Sequence, residues 1–67
     1  MEEVLKFINT AIRAEKGNKV TIDSTLRDAE LDSLSYVSVI LSIENKYEIE
    51  LSEYGVLNIR DIVSKVL

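Results

Sequence analysis

The sequence predicts an all-α fold in a single domain spanning residues 1–67. Apolar residues recur at helical spacing in three separate stretches. Proline is absent, and the two glycines, Gly17 and Gly55, lie between those stretches. With 67 residues, 46% of them apolar, the chain has material for one hydrophobic core and no second domain.

The first helix is predicted from an apolar stripe near the N-terminus and from the stop signal behind it. The stripe repeats at i, i+1, i+4, i+7 and i+8 and consists of Val4, Leu5, Ile8, Ala11 and Ile12. Gly17-Asn18 follows a charged last turn and supplies the stop.

The stretch from Gly17 to Asp32 loses the helical period and predicts a long loop. Four apolar residues, which we expect to pin this loop, are scattered among Thr, Ser and Asp: Val20, Ile22, Leu26 and Leu31. One short helical turn is predicted after Asp23 or Ser24. A loop of this length in so small a domain is often functional.

The central helix is predicted over Ser33 to Tyr47, and it carries two apolar arcs. The first arc is predicted to face the core and consists of Tyr36, Val39, Ile40, Ile43 and Tyr47. The second arc consists of Leu34, Val37 and Leu41. The pattern alone fits either more core or an exposed docking surface for this second arc.

Two shorter elements are predicted after the central helix. Ser52 predicts a single helical turn that ends near Gly55. A last helix is predicted over residues 59–67 with Asn58 as its cap. Its apolar positions are Ile59, Ile62, Val63, Val66 and Leu67.

Composition excludes several classes of function. The chain has neither histidine nor cysteine, so it lacks the usual general base, the thiolate nucleophile and the commonest metal ligand. Self-contained hydrolase and zinc chemistry are therefore not expected. No apolar run approaches the roughly 20 residues of a membrane span, and the N-terminus lacks the positive flank of a signal peptide, so we expect a cytoplasmic protein.

The charge is negative and unevenly placed. The net charge is −4, and the stretch from Asp23 to Glu53 holds eight acidic residues against two basic ones. An acidic surface repels nucleic acid and anionic lipid and attracts basic proteins. Charge alone fits a solvated face that maintains solubility equally well.

Asp32, Ser33 and Leu34 stand at the mouth of the central helix. Taken alone, they are an ordinary helix start in which Asp or Ser accepts backbone N–H bonds. The position also suits an attached phosphate, because a helix N-terminus offers free N–H donors and the positive end of the helix dipole. The Asp32 charge opposes that phosphate unless a metal or a basic partner offsets it. Without a histidine to activate it, Ser33 is predicted to accept a modification and not to act as a nucleophile.

The uninterrupted stretch from Leu31 to Leu51 resembles the second helix of an acyl carrier protein. The residues that carry the resemblance are Asp32-Ser33-Leu34, the apolar positions after them, Ile43-Glu44, Tyr47, and the Ile and Leu that follow. Ahead of it, the segment Ile22-Asp23-Ser24-Thr25-Leu26-Arg27-Asp28 resembles the loop signature of that family, and residues 59–67 fit its last helix.

The resemblance implies a four-helix bundle of acyl-carrier-protein type, with a short third helix and a long loop between helices one and two. It implies that Ser33, flanked by Asp32 and Leu34, receives a covalent 4'-phosphopantetheine arm from coenzyme A. The thiol of the arm would carry an acyl or aminoacyl group as a thioester. Such a chain is a monomeric carrier and not an enzyme.

The resemblance also implies partners. These are a phosphopantetheinyl transferase, a ligase or acyltransferase that loads the cargo, and downstream biosynthetic enzymes. They would meet the second arc of the central helix, so the resemblance favours exposure of that arc. The implied partner-binding residues are Leu34, Val37, Leu41 and Glu44. Neither nucleic acid nor membrane is expected as a partner.

Some positions depart from the family pattern. Ala29-Glu30 stands where the family commonly has Leu-Gly, which predicts a loop that seals the core less tightly. Ser38 and Asn45 stand where carriers of fatty-acid synthesis usually have acids. These departures weaken the case for housekeeping fatty-acid synthesis and favour a specialised, stand-alone carrier of a biosynthetic pathway. The choice among fatty-acid, polyketide and nonribosomal-peptide synthesis stays open.

Three other readings compete. A small helical adaptor would use the second arc to bind a partner and would never be modified. A calcium site is suggested by Asp28, Glu30 and Asp32, but the glycine and the final glutamate of an EF-hand loop are missing. DNA binding is disfavoured, because the central helix carries almost no residue that pairs with phosphates or bases apart from Lys46.

Overall fold

A computed structural model of the chain describes residues 2–51 and 58–66. Three α-helices and one 3-10 turn form in this part: α1 (Glu2–Ala14), the 3-10 turn (Leu26–Ala29), α2 (Ser33–Tyr47) and α3 (Ile59–Val66). Helix α1 packs against both α2 and α3. The described residues contain no β-strand, and Thr25 and Asn58 form an isolated antiparallel bridge. The predicted all-α class is confirmed for them, whereas the predicted turn from Ser52 to Gly55 lies outside them.

The core is built from one face of each helix and from the segments that connect them. Its buried members are Val4, Ile8, Ile12, Val20, Leu26, Ala29, Val39, Ile43, Leu51, Ile59, Ile62 and Val63. The residues of the first arc of α2 differ in burial. Val39 and Ile43 are buried, and the others are half-buried against the core: Tyr36, Ile40 and Tyr47. The predicted stripes of α1 and α3 supply the remaining helical residues of the core.

The turn between α1 and the loop ends the helix where predicted, but by a different arrangement. Lys16 takes the left-handed conformation with φ 64°. The N–H of Gly17 then donates to the carbonyl of Ile12 at 2.9 Å, which is the hydrogen bond of a Schellman motif. Gly17 is required for close packing, because a Cβ there would lie 2.5 Å from Leu31 Cδ2 and 2.7 Å from Ile12 Cγ2.

The loop between α1 and α2 is closed over the core. The side-chain amide of Asn9 donates to the carbonyl of Val20 at 2.9 Å, and its oxygen accepts from the Val20 N–H at 2.8 Å. The 3-10 turn buries Leu26 and Ala29 completely. The expectation of a looser seal at Ala29-Glu30 is therefore wrong, because the small Ala29 side chain fits inside and Glu30 points its charge outward.

Glu30 occupies the position of the family's glycine and adopts the backbone conformation that favours glycine. Its φ and ψ are 55° and 46°, and its N–H donates to the carbonyl of Arg27 at 2.9 Å, which ends the 3-10 turn. Glu48 ends α2 in the same left-handed conformation, with φ 55°. For residues other than glycine this conformation costs about 1–2 kcal/mol.

The start of α3 is joined to the loop. Asn58 precedes the helix as predicted, and its carbonyl accepts from the N–H of Asp61 and of Ile62. The N–H of Ile59 donates to the carbonyl of Ser24 at 3.0 Å. On α1 and α2, the rings of Phe7 and Tyr47 meet edge to face with centroids 5.6 Å apart. None of the helices in the described ranges is both long and apolar enough to cross a membrane.

Candidate functional site

Asp32 is the N-cap of α2. Its carboxylate Oδ1 accepts from the N–H of Ser35 at 2.8 Å, which satisfies one of the free donors of the first turn. This hydrogen bond to the Ser35 backbone, helped by the Ser35 side chain and the Leu34 backbone, lowers the pKa of Asp32. The ordinary helix-start reading of Asp32 is thus confirmed, and the cap sets the orientation of the residues that follow.

Ser33 is the first residue of α2, and its side chain is exposed. Among the described residues its hydroxyl has no hydrogen-bond partner, and the chain has no histidine that could activate it. An accessible hydroxyl at a helix N-terminus has room for an incoming enzyme and N–H donors nearby for a phosphate. The geometry therefore suits a hydroxyl that is modified by another protein.

The second arc of α2 is exposed. Leu34 is 83% exposed, Val37 51% and Leu41 50%, and these are the exposed large apolar side chains of the described residues. The alternative in which this arc is additional core is therefore wrong, because α1 and the loop cover only the other face of α2. Leu34, Val37 and Leu41 form a stripe, called here the exposed stripe, that begins directly beside Ser33.

Glu44 lies at the far end of the exposed stripe and is half-buried. Its Oε2 accepts from the N–H of Leu51 at 2.6 Å. Because Leu51 is a buried core residue, this bond fixes the segment after α2 against the helix. Glu44 thus has a structural contact that the sequence pattern did not reveal.

A surface groove of about 580 Å³ lies beside Ser33, between the 3-10 turn and α2. Its lining residues are Arg27, Leu31, Ser33, Tyr36 and Val37. The groove joins a cation, two aliphatic side chains and the candidate hydroxyl in one place. Arg27 and Tyr36 were not predicted as site residues. Arg27 lies within the loop signature, which gave a signal for the family but none for its position beside Ser33.

Tyr36 carries a buried polar atom with no partner. Its hydroxyl oxygen is inaccessible to solvent and makes no hydrogen bond to the residues that the structure describes. An unsatisfied buried hydroxyl costs about 1–3 kcal/mol. The sequence analysis placed Tyr36 in the core because it belongs to the first apolar arc of α2. The spacing of apolar residues cannot show that the hydroxyl lacks a hydrogen-bond partner.

Two of the three acids in the calcium hypothesis, Asp28 and Asp32, make other contacts. The Asp28 carboxylate accepts from the N–H of Thr25 at 2.9 Å, and that of Asp32 caps α2. Over residues 2–51 and 58–66, no three acidic side chains converge in a way that would hold a metal ion. The Asp28 carboxylate therefore serves the 3-10 turn, and the Asp32 carboxylate serves the start of α2.

Comparison with known proteins identifies relatives. The family model described as "Phosphopantetheine attachment site" matches residues 2–66. A curated "Acyl carrier protein homolog" from Mycoplasma genitalium is 32% identical over 47 residues, which are 70% of this chain and 56% of that protein. The chain thus spans little more than half the length of the relative. The search of solved structures gave no significant match.

The residues at the start of α2 fit the group that this family carries. Phosphopantetheine attaches through a phosphodiester, for which Ser33 provides an exposed hydroxyl and Arg27 a nearby cation. The rest of the group is an arm with aliphatic carbons and two amides, and the groove offers aliphatic walls from Leu31 and Val37. With a family match over nearly its whole length and a site of suitable chemistry, the chain belongs to the acyl carrier protein family, whose cofactor is covalently bound 4'-phosphopantetheine.

Proposed function

We propose that the chain carries acyl or aminoacyl groups on a 4'-phosphopantetheine arm attached to Ser33 and presents them to enzymes of a biosynthetic pathway. The observation that carries this proposal is the exposed Ser33 hydroxyl at the start of α2, inside a match to a phosphopantetheine attachment family. When bound, the group supplies a terminal thiol that holds the cargo as a thioester. A chain without cysteine obtains its reactive sulfur in this way.

The residues around Ser33 have separate tasks in this proposal. Asp32 fixes the first turn of α2 and thereby the direction of the Ser33 hydroxyl. Leu34, the residue directly after the proposed attachment point, is almost fully exposed and is the first apolar contact that a modifying enzyme would meet. Asp32 and Leu34 therefore position Ser33 for the partner and do not take part in bond making.

We assign partner binding to the exposed stripe together with Glu44. Apolar side chains that stay exposed in a domain of this size mark contact surfaces. Partners of this surface are a phosphopantetheinyl transferase, a loading ligase or acyltransferase, and downstream enzymes. Glu44 offers Oε1 to a basic partner residue while Oε2 remains with Leu51.

The attachment site is tested by intact mass. The protein is incubated with a broad-specificity phosphopantetheinyl transferase and coenzyme A, as wild type and as Ser33→Ala, with Ser35→Ala, two residues further along α2, as the matched control. We expect wild type and Ser35→Ala to gain one phosphopantetheine and Ser33→Ala to gain none. A wild type that gains no mass contradicts the carrier function and favours an unmodified adaptor. Modification of Ser33→Ala contradicts the assignment of the site.

A further inference from the structure

A second concave surface lies between α1 and the first residues of the loop, apart from Ser33. Its volume is about 580 Å³, and its described lining comes from residues 2–19, with none from α2 or α3. Lys6, Arg13 and Lys19 contribute three cations to the lining, and Glu2 contributes the single acid. We call this surface the basic cleft.

The basic cleft is formed in the protein by itself, without a partner. The half-buried Asn9 side chain holds Val20 through hydrogen bonds of 2.9 and 2.8 Å, which fixes the segment that carries Lys19 against α1. The N–H of Asn18 donates to the carbonyl of Ala29 at 2.9 Å and anchors the same segment from its other side. A preformed cleft spares a partner much of the entropy cost of ordering this surface.

The cations of the cleft are not neutralised within the described chain. Lys6, Arg13 and Lys19 are exposed, and none of them makes an ion pair with a residue that the structure describes. Positions 6–19 hold four of the eight basic residues of the chain and one acid, Glu15, although the net charge is −4. The basic cleft is therefore complementary to an anion from outside.

The spacing of the cations selects an elongated anion. Lys6 and Arg13 lie seven residues apart on one side of α1, which is about 10 Å along the helix at 1.5 Å per residue. A single phosphate or carboxylate is smaller than this span, whereas three or four residues of extended peptide cover it at about 3.3 Å each. Leu5, half-buried in the cleft, offers aliphatic surface to the stems of acidic side chains.

Among elongated anions, the charge distribution favours a short acidic peptide. Nucleic acids and anionic membranes carry negative charge far beyond the edges of the cleft. The stretch from residue 23 to residue 53, with eight acids against two basic residues, would repel them. A peptide segment of a few acidic residues contacts the cleft alone.

We propose that the basic cleft binds an acidic peptide segment of a partner protein, whose carboxylates pair with Lys6, Arg13 and Lys19. This inference does not depend on attachment at Ser33. The exposed stripe lies on α2, and the described lining of the cleft lies on α1 and the loop. A partner held at the cleft would therefore leave the exposed stripe open to a second protein.

The test titrates the ¹⁵N-labelled full chain with a capped hexaglutamate peptide at fixed ionic strength and follows the amide signals by NMR. A glycine–serine peptide of equal length is the neutral control. Arg13→Gln and Lys19→Gln are compared with Lys16→Gln, which removes the same charge from an exposed neighbour that is not among the described lining residues. Vesicles containing phosphatidylglycerol and a thymidine oligonucleotide are tested in parallel, and thermal melts establish that each variant is folded.

We expect saturable shifts at the amides around the basic cleft with hexaglutamate, and none with the neutral peptide. Because an exposed ion pair contributes little, Arg13→Gln and Lys19→Gln should each weaken binding by about 1.5- to 5-fold, and their combination by about the product. Lys16→Gln should bind as wild type does, and the amides of the exposed stripe should not shift.

Other outcomes overturn the proposal. These are the absence of saturable shifts at the cleft, shifts centred on the exposed stripe, and equal weakening by Lys16→Gln and Arg13→Gln. Tighter binding of the vesicles or the oligonucleotide than of hexaglutamate, lost in Arg13→Gln, would assign the cleft to a membrane or to nucleic acid and would also overturn it.

Discussion

Replacing Glu30 by glycine is expected to stabilise the protein. Glu30 is exposed and held at φ 55° and ψ 46°, where a residue with a Cβ is disfavoured by about 1–2 kcal/mol. Glycine removes this cost but adds about 0.4–1 kcal/mol of conformational freedom to the unfolded chain. With the two lower values and the two upper values paired, the net gain over alanine is about 0.6–1 kcal/mol. In a domain of this size that corresponds to a rise in Tm of about 2–8 °C.

The appropriate comparison is Glu30→Gly against Glu30→Ala, because both remove the same charge and the same side-chain atoms beyond Cβ. Glu30→Gln measures the effect of the charge alone. Unfolding free energies from urea titration and Tm from thermal melts by circular dichroism give the magnitudes. A Glu30→Gly variant no more stable than Glu30→Ala would refute the reasoning, since the left-handed backbone would then carry no cost.

Three further predictions concern the core, the cap and the acidic surface. Ile43→Ala should lower the free energy of unfolding by about 2–5 kcal/mol and Leu41→Ala by less than about 0.5 kcal/mol, because Ile43 is fully buried and Leu41 half-exposed; equal losses in urea titrations would contradict this division. Because the pKa of Asp32 is lowered in the folded protein, its cap stabilises the fold above about pH 4, and this stabilisation is lost as the pH falls through the folded-state pKa. The free energy of unfolding of Asp32→Asn should therefore fall less than that of wild type when the pH is lowered from about 5 to below the folded-state pKa. An unchanged difference between the two across that range would count against the cap. The rate of Ser33 modification should fall as salt rises, with less dependence in Glu30→Gln, because exposed acids steer basic enzymes; a salt-independent rate would assign docking to the exposed stripe alone.

The helices could be predicted from sequence because their apolar residues repeat with a period that only a helix satisfies. Ser33 and Tyr47 are the observed bounds of α2, as predicted, since Asp32 is a strong N-cap residue and the period ends after Tyr47. The exposure of Leu34, Val37 and Leu41 was left open by the pattern. It depends on which neighbours cover α2, and a single helix does not encode that.

Other features depend on contacts between distant residues. Glu44 reads as a surface acid on the helical wheel, and its bond to the N–H of Leu51 arises only when the chain turns back after α2. The groove likewise requires the 3-10 turn to place Arg27 beside Tyr36. Left-handed Glu30 could not be predicted from its own residue type, because glutamate disfavours that conformation.

The paired hydrogen bonds between Asn9 and Val20 join the loop to α1. The Asn9 side chain takes the place of a peptide group from a neighbouring strand, donating and accepting across 11 residues of sequence. The Val20 N–H can exchange with solvent deuterium only when this junction opens. The hydrogen-exchange rate of the Val20 N–H therefore measures how often the loop before Ser33 separates from α1. This measurement uses the intact protein and needs no substitution.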